Sequence, residues 1–284
     1  MTVSKLRDTL VSADGQPVRV LCGGQGPPVV LLHGFAVTAD MWRLNLPALI
    51  EAGYSVLALD LPGHGASFRP RRPFCIADLA RAVSAVIEAE VAGPVRLVGN
   101  SLGGAVASEI ALQRPERVSH LVLVNALGLD PCVPVFKRAN YWTDLLVPGA
   151  VQVLAGPRSW IWRRLSRMIY YAPERAPDGV TILRYPGGWR HNHVGRGWVG
   201  WGVFWQLATY RRRLAFAQRR AQLTVPTFIL WGEDDQLLPV AHAYTGQALI
   251  PGARLHVFPQ CGHAPNIEFA DEFNRDVIAF FQTT

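Results

Sequence analysis

The sequence predicts an α/β fold, in which helices flank a mostly parallel β-sheet that is interrupted by an inserted helical segment. Short apolar runs alternate with helical patterns from the run PPVVLLHG to about Leu129, and the alternation resumes at about Val225. Such alternation is typical of parallel sheets, whose neighbouring strands are joined by crossover helices. Between the two blocks the strand pattern stops, and a tryptophan-rich stretch has the pattern of several helices.

The first block supplies four predicted strands: PPVVLLHG, GYSVLALDLPGHG, GPVRLVGNS and RVSHLVLVNA. The stretches between and after them have helical spacing, in MWRLNLPALIEAG, FCIADLARAVSAVIEAEVAG and SLGGAVASEIALQRP. Glycines that follow the first two helical stretches favour helix ends there. Because crossovers between parallel strands are right-handed, the carboxyl ends of the strands meet along one edge of the sheet. We therefore expect functional side chains in the loops at that edge.

The second block contains two further predicted strands, VPTFILWGEDD and ARLHVFPQCGH, and a last helix, FADEFNRDVIAFFQ. We assign residues 1–129 and 223–284 to the α/β core and residues 130–222 to a helical cap, or lid, that covers the strand ends. Most tryptophans of the chain lie in this cap. We expect some of them to make the cleft apolar and aromatic. The candidates for substrate contact are Trp142, Trp160, Trp198 and Trp205.

Composition excludes several classes of protein. The chain has 284 residues, of which 50% are hydrophobic and 17% charged, so it can bury a large core and is not expected to be disordered. It has no membrane-length apolar run of about 18 residues, and its first residues lack the apolar region of a secretory signal. We therefore expect a soluble, cytoplasmic protein. Its four cysteines form no C-x-x-C pair, which favours reduced thiols over a metal site or disulfide framework.

The net charge of +7 comes partly from groups of arginines. Solvated helix faces are the simplest interpretation, while contact with an acidic substrate or an anionic membrane surface stays open. No nucleic-acid-binding motif is present, so we expect no nucleic-acid partner. Glycine-rich nucleotide loops are also missing from the sequence, and we expect neither a cofactor nor a metal. The arginine groups are Arg163, Arg164 and Arg167, then Arg211, Arg212 and Arg213, then Arg219 and Arg220.

A G-x-S-x-G motif stands at Gly99-Asn100-Ser101-Leu102-Gly103, where a predicted strand ends and a helix begins. This is the strand–turn–helix context in which a serine serves as a nucleophile. The glycines have a physical reason, because the tight turn brings the flanking residues so close that side chains there would clash. The turn also places the serine at the partially positive start of the next helix. Ser101 is therefore the predicted nucleophile.

A serine hydroxyl needs an adjacent base, and the base needs an acceptor for its second ring N–H. His263 lies in the loop Gln260–Pro265, between the last strand and the last helix, and histidine exchanges protons near neutral pH. Asp235 ends the preceding strand, with Glu233 and Asp234 as its rivals. The chain order Ser, Asp, His is the one found in α/β-hydrolases. We therefore predict Ser101, Asp235 and His263 as the catalytic residues.

Nearly the whole chain resembles the α/β-hydrolase superfamily. The resemblance implies an eight-stranded, mostly parallel sheet with a cap inserted after the sixth strand. Residues Trp231–Pro239 match the family's W-G-x-x-D-x-x-x-P pattern, and the triad acid of that pattern corresponds to Asp235. A second likeness is the H-G loop His33-Gly34-Phe35, which implies that the backbone N–H groups of Phe35 and Leu102 form the oxyanion hole.

Single residues indicate which enzyme classes of the superfamily this chain resembles. Serine at position 101 disfavours haloalkane dehalogenases and epoxide hydrolases, which use aspartate as the nucleophile. Asn125 stands where certain members carry the triad acid, which supports Asp235. The GNSLGG turn is similar to that of meta-cleavage-product hydrolases, in which a cap arginine such as Arg163 or Arg167 would hold the dienoate carboxylate. However, Ala36 and Ala264 replace the glycine and tryptophan usual in those enzymes.

These observations favour a serine hydrolase that cleaves an ester or lactone of an apolar or aromatic substrate, through an acyl-enzyme and with water as second substrate. Carbon–carbon bond hydrolysis of the meta-cleavage-product type is the alternative. A further alternative is a non-catalytic ligand-binding protein on the same fold. Because every predicted triad residue is present, we expect a competent enzyme.

Overall fold

The computed structural model describes residues 6–132, 167–176 and 193–283. Within them, one sheet contains eight strands in the order β1-β2-β4-β3-β5-β6-β7-β8. β1 and β2 form an antiparallel hairpin, β2 also pairs antiparallel with β4, and the remaining pairs are parallel. The predicted mostly parallel sheet is thereby confirmed. The strands are β1 Arg7–Ala13, β2 Gln16–Gly23, β3 Pro28–Leu32, β4 Ser55–Leu59, β5 Val95–Asn100, β6 Val118–Val124, β7 Thr227–Gly232 and β8 Arg254–Phe258.

Helices connect the parallel strands and cover both faces of the sheet. They are α1 Leu46–Glu51, α2 Ile76–Glu90, α3 Leu102–Gln113, α4 His193–Leu207, α5 Tyr210–Gln218, α6 Ala241–Leu249, α7 Pro265–Glu268 and α8 Ala270–Phe281. The predicted helix MWRLNLPALIEAG is in fact a 3₁₀ turn at Ala39–Trp42 followed by α1. Pro47 is the reason, because proline has no N–H to donate and is tolerated only in the first turn of a helix.

Two apolar layers enclose the sheet. On one face α2 and α3 contribute buried side chains such as Val83 and Val106, and on the other α1 and α8 contribute side chains such as Leu46 and Phe273. The central strands β3, β5 and β6 are almost entirely buried, as expected for parallel strands covered on both sides. None of the helices described here is long and apolar enough to cross a membrane.

The insertion is helical where the structure describes its second half, in α4 and α5. α4 packs directly on the core, because a Cβ atom on Gly202 would lie 2.5 Å from the backbone of Phe74 and one on Gly200 would lie 3.2 Å from the Phe35 ring. Residues 133–166 and 177–192 lie outside the described part of the chain. The predicted cap boundaries at 130 and 222 therefore stay a prediction.

A buried arginine joins three segments at one end of the sheet. The Nη1 atom of Arg19, in β2, lies 2.8 Å from Asp40 and 3.3 Å from Asp60, and its Nη2 atom lies 2.8 Å from Asp8. Asp60 also accepts hydrogen bonds from the backbone N–H groups of Ala39, at 2.8 Å, and Ala66, at 3.0 Å. The loops that follow β3 and β4 are therefore fixed to β2 through paired charges.

Replacing Arg19 by leucine is expected to lower the free energy of unfolding by about 3–5 kcal/mol, because the buried carboxylates of Asp40 and Asp60 lose the buried cation that they share. Arg43→Ala is the matched control, since Arg43 also binds Asp40 but its side chain is 58% exposed. That change is expected to cost about 0–1 kcal/mol. Urea unfolding measures both, and equal losses in the two variants would contradict the assigned role of Arg19.

Candidate active site

Ser101 occupies a strained turn between β5 and α3. Its φ is +53° and its ψ is −115°, a backbone conformation that residues with a Cβ rarely adopt. A Cβ atom on Gly99 would lie 2.3 Å from the carbonyl oxygen of Gly103, and one on Gly103 would lie 2.2 Å from that of Leu32. The turn therefore requires glycine on both sides of the serine. It presents Ser101 at the carboxyl edge of the sheet, at the start of α3.

The turn is anchored to the neighbouring strand by its backbone. The N–H group of Ser101 donates to the carbonyl oxygen of Val124, in β6, at 2.9 Å. Its carbonyl oxygen accepts from the N–H group of Leu127 at 3.0 Å, and from the N–H groups of Gly104 and Ala105 in α3. These bonds hold the serine in place independently of its side chain.

His263 and Asp235 form a buried pair at the same edge. The Nδ1 atom of His263 lies 2.6 Å from Oδ2 of Asp235. Because the carboxylate can only accept, Nδ1 carries the proton and Nε2 has the lone pair that a general base needs. The Oδ1 atom of Asp235 accepts from the N–H groups of Leu237 and Leu238, at 2.8 and 3.0 Å. Its rivals in sequence, Glu233 and Asp234, are exposed.

Asn125 gives the same carboxylate another donor that the sequence did not predict. Its Nδ2 atom donates to Oδ2 of Asp235 at 2.6 Å, and its Oδ1 atom accepts from the N–H group of Gly232 at 3.3 Å. Asn125 is fully buried and has a φ of +42°, a conformation in which asparagine is enriched. The amide therefore fixes Asp235 from the side of β6.

The loop after β3 lies beside Ser101. A Cβ atom on Gly34 would lie 3.2 Å from the Cβ atom of Ser101. His33 holds this loop, because its Nε2 atom accepts from the N–H group of Leu61 at 2.8 Å and its Nδ1 atom donates to the carbonyl oxygen of Gly34 at 2.6 Å. Burial lowers the pKa of His33, which agrees with a neutral ring in this role.

A described part of the insertion, residues 167–176, is hydrogen-bonded to the histidine loop. The N–H group of His263 donates to the carbonyl oxygen of Ile169 at 2.6 Å. The carboxylate of Glu268 accepts from the N–H group of Gly262 at 2.7 Å and from that of Ala172 at 2.9 Å. One buried carboxylate thus bridges the segment and the residue that precedes His263.

Burial and the Glu268 carboxylate act in the same direction on the neighbouring titratable groups. Burial raises the pKa of Glu268. Burial, followed by the negative charge of Glu268, raises the pKa of the Cys261 thiol, and the same two causes raise the pKa of Tyr170. Cys261 is therefore an unreactive thiol, although it lies two residues from His263.

The predicted substrate-contact residues of the cap are only partly described. Trp142, Trp160 and Arg163 lie outside the described residues. Trp198 is half-buried, and its carbonyl oxygen accepts from the N–H group of Phe74 at 3.1 Å. Trp205 exposes half of its surface on the side of α4 opposite the buried core face, and Arg167 is exposed. Their contact with a substrate stays a prediction.

One cluster among the described residues has the side-chain types of a metal site, namely His256, Glu272 and Asp276. It lies on β8 and α8, away from Ser101. The Nδ1 atom of His256 faces Asp276, and its Nε2 atom lies 3.5 Å from Glu272. Because each ring nitrogen serves a different carboxylate, the imidazole bridges the two acids, and a single ion would be bound by only one of the nitrogens.

In the native protein, iodoacetamide is expected to alkylate Cys132 and to leave Cys261 unmodified. Cys132 is exposed, whereas Cys261 is fully buried beside a carboxylate that holds it as the thiol. Mass spectrometry of the tryptic peptides measures both sites, with urea-unfolded protein as the control in which both react. Modification of native Cys261 as fast as Cys132 would contradict the assigned environment.

The chain is similar to several known proteins. The dihydrolipoyllysine-residue acetyltransferase component of the acetoin cleaving system of Cupriavidus necator is 32% identical over 92% of this chain, which spans 65% of that protein. The pimeloyl-[acyl-carrier protein] methyl ester esterase of Nitrosomonas europaea is 31% identical over 88% of this chain and 94% of its own length. A meta-cleavage product hydrolase from Pseudomonas fluorescens IP01 matches in structure with a TM-score of 0.69 and 25% identity, over 96% of this chain and 97% of its own.

The family model described as alpha/beta hydrolase fold matches residues 27–270. This range contains all but the first two strands and the last helix, and it contains Ser101, Asp235 and His263. The chain belongs to the α/β-hydrolase fold family.

Proposed function

We propose that this chain is a serine hydrolase that cleaves an ester or lactone with an apolar or aromatic acyl or aryl group. The observation that carries the proposal is the 2.6 Å contact of His263 with Asp235, at the sheet edge where the strained turn presents Ser101. It gives a base in the correct tautomer at the same sheet edge as the serine, and nucleophilic catalysis needs both groups. The relative from Nitrosomonas europaea, named as a methyl ester esterase, supports the ester as the bond that is cleaved.

The proposed mechanism has two halves. His263 takes the proton of Ser101 as the serine oxygen attacks the acyl carbonyl carbon, and the N–H groups of Phe35 and Leu102 stabilise the oxyanion. The tetrahedral intermediate collapses, and the alcohol leaves with the proton from His263. Water then gives a proton to His263 and attacks the acyl-enzyme, which releases the acid and restores the serine. Asp235 keeps the imidazole oriented and stabilises its cation.

Two contacts support the placement of the oxyanion donors. Leu102 is the first residue of α3, and the first N–H groups of a helix have no partner within the helix. A Cβ atom on Gly34 would lie 3.2 Å from Ser101 Cβ, so the loop that carries Phe35 is close to the serine. An acyl oxygen between the two would meet both donors.

We place substrate specificity in the cap, at residues 130–222. The position of α4 supports this, because the helix packs against the backbone of Phe74 and against the ring of Phe35, which belongs to the loop beside Ser101. Trp142, Trp160 and Trp198 would supply apolar contacts, and Arg163 or Arg167 would bind an acidic group of the substrate where it carries one.

Carbon–carbon hydrolysis is the second candidate, favoured by the structural match to a meta-cleavage product hydrolase at 25% identity. The same serine, base and oxyanion donors would serve it. The two are separated by assaying a panel of p-nitrophenyl esters beside a 2-hydroxy-6-oxo-dienoate, whose conjugated chromophore disappears on cleavage. Faster turnover of the dienoate, as kcat/KM, would move the assignment to the second candidate.

Ser101→Ala is expected to fold normally, to lose at least about 10³-fold in kcat for p-nitrophenyl esters, and to lose labelling by a fluorophosphonate probe. Ser119→Ala is the matched control, because Ser119 is the second residue of β6, at the opposite edge of the sheet, and donates to the carbonyl oxygen of Val95. A loss below tenfold for Ser101→Ala would sink the nucleophile assignment. If folded wild-type protein shows neither labelling nor turnover, the binding-protein alternative is favoured.

Asn125→Ala is expected to lower kcat by about 10-fold or more, with KM changed by no more than about twofold, because Asp235 loses a donor at 2.6 Å. Asn125→Asp is expected to lose more, since it sets a second carboxylate against Asp235, and adding Asp235→Asn should recover part of that loss. Steady-state kinetics measure all three variants. The control is Asn274→Ala, which removes a buried amide in α8 that bonds the carbonyl oxygen of Leu44. If both alanine variants lower kcat equally, Asn125 has no specific positioning role.

A further inference from the structure

Helix α4 is apolar on two opposite faces. Val199, Val203 and Leu207 are buried against the core, whereas Trp201 and Trp205 each remain 51% exposed on the other side. Phe204 lies between these two, and ring centroids in this group are 5.8–6.2 Å apart. A surface helix of a globular protein normally turns one apolar face inward and a polar face outward. An exposed aromatic group of this size marks an interaction surface.

The start of α5 continues this surface with tyrosine and arginine. Tyr210 is 54% exposed, and Arg211 and Arg212 are exposed beside it. Arg212 donates to the backbone carbonyl oxygen of Trp205, so its guanidinium lies at the carboxyl end of α4, next to the backbone of Trp205. We call Trp201, Phe204, Trp205, Tyr210, Arg211 and Arg212 the Trp–Arg surface.

All formally charged side chains between residues 193 and 222 are basic. The sequence contains no aspartate or glutamate between residues 193 and 222. The neighbouring element is the start of α2, whose Ile76 N–H donates to Gln206 of α4 at 2.9 Å. Asp78, in the first turn of α2, is bound by both Arg72 and Arg81. These two arginines outweigh the charge of the carboxylate, so this group of three side chains has a net positive charge.

The geometry points to an anionic membrane surface as the partner of the Trp–Arg surface. Tryptophan and tyrosine are enriched where proteins meet the headgroup region, because their rings combine an apolar body with a polar edge. Arginine binds lipid phosphates with several donors, and basic residues beside an apolar helix face are typical of interfacial helices. Two signals, apolar and electrostatic, therefore favour the same partner.

A second copy of the chain fits this surface less well. In a symmetric dimer the same patch would occur on both sides of the two-fold axis. Arg211 and Arg212 would then face the arginines of the other copy, and the sequence offers no acid in these helices to balance them. Like charges brought together in an interface are repulsive.

The surface is close to the candidate active site. The inner side of α4 approaches the ring of Phe35 and the backbone of Phe74. Phe35 belongs to the loop beside Ser101. Docking would therefore put the lipid on one side of α4 and the loop that carries Phe35 on the other.

Co-sedimentation with vesicles tests the proposal on the full-length chain. One set of vesicles contains phosphatidylcholine alone, and the other contains equimolar phosphatidylcholine and phosphatidylglycerol. Wild-type protein is expected to bind the anionic vesicles at least about tenfold more tightly. About 1 M salt should remove this preference, because it reduces the Debye length to about 3 Å. Equal binding to both vesicles, or none to either, would overturn the proposal.

Two double variants divide the contributions. Trp201→Ala with Trp205→Ala is expected to weaken binding to the anionic vesicles at least about tenfold, by removing the apolar contact. Arg211→Ser with Arg212→Ser is expected to weaken it by about 25-fold, from about fivefold for each arginine. The control is Leu10→Ala with Arg275→Ala, which removes an apolar side chain 60% exposed on β1 and an exposed arginine on α8.

The variants must retain the urea unfolding midpoint of the wild type, which is expected because the replaced side chains are exposed. Binding that survives in both surface variants, or that falls equally in the control, would overturn the assignment of the Trp–Arg surface. Size-exclusion chromatography completes the test. A wild-type dimer that Trp201→Ala with Trp205→Ala dissociates would show that the surface joins two copies instead.

Discussion

The left-handed backbone at Ser101 is the constraint on which the rest of the candidate site depends. A positive φ at a residue with a side chain persists only when the surroundings over-determine it. Here Gly99 and Gly103 allow the turn to close, and bonds to Val124 and Leu127 tie it to the next strand. Since α3 must begin at the next residue, the serine, the helix start and the edge of the sheet are fixed together. The other groups need only be brought to this point.

Buried carboxylates position the loops of the candidate site at the sheet edge that carries Ser101. Asp60 holds the loops after β3 and β4, Asp235 holds the imidazole of His263 and the backbone after β7, and Glu268 joins the histidine loop to residues 167–176. Each accepts backbone N–H groups from a loop that has no regular partner of its own, which offsets the cost of burying the charge. Loops that would otherwise be mobile are thereby positioned at one edge of a rigid sheet.

The sheet and the motif-bearing loops could be predicted because local sequence carries them: apolar runs, glycine spacing at Gly99 and Gly103, and loops that end strands. The N-terminal hairpin escaped prediction, although Asp14-Gly15, with φ of +50° and +76°, is a strong hairpin signal. Its strand β1 is largely exposed, so hydrophobic periodicity does not reveal it. Asn125 and Glu268 could not be assigned either, because their bonds join segments that only the folded chain brings together.

Glu268 links the inserted segment to the loop that carries His263. Burial disfavours its charge, as its raised pKa indicates, and the N–H groups of Gly262 and Ala172 offset part of that cost. Moving residues 167–176 away would remove the Ala172 donor and leave a buried carboxylate less satisfied, which costs more than an exposed hydrogen bond does. The same movement would take the Ile169 carbonyl from the N–H group of His263. Residues 167–176 are therefore held to the loop that carries His263 by a buried carboxylate and by a backbone hydrogen bond.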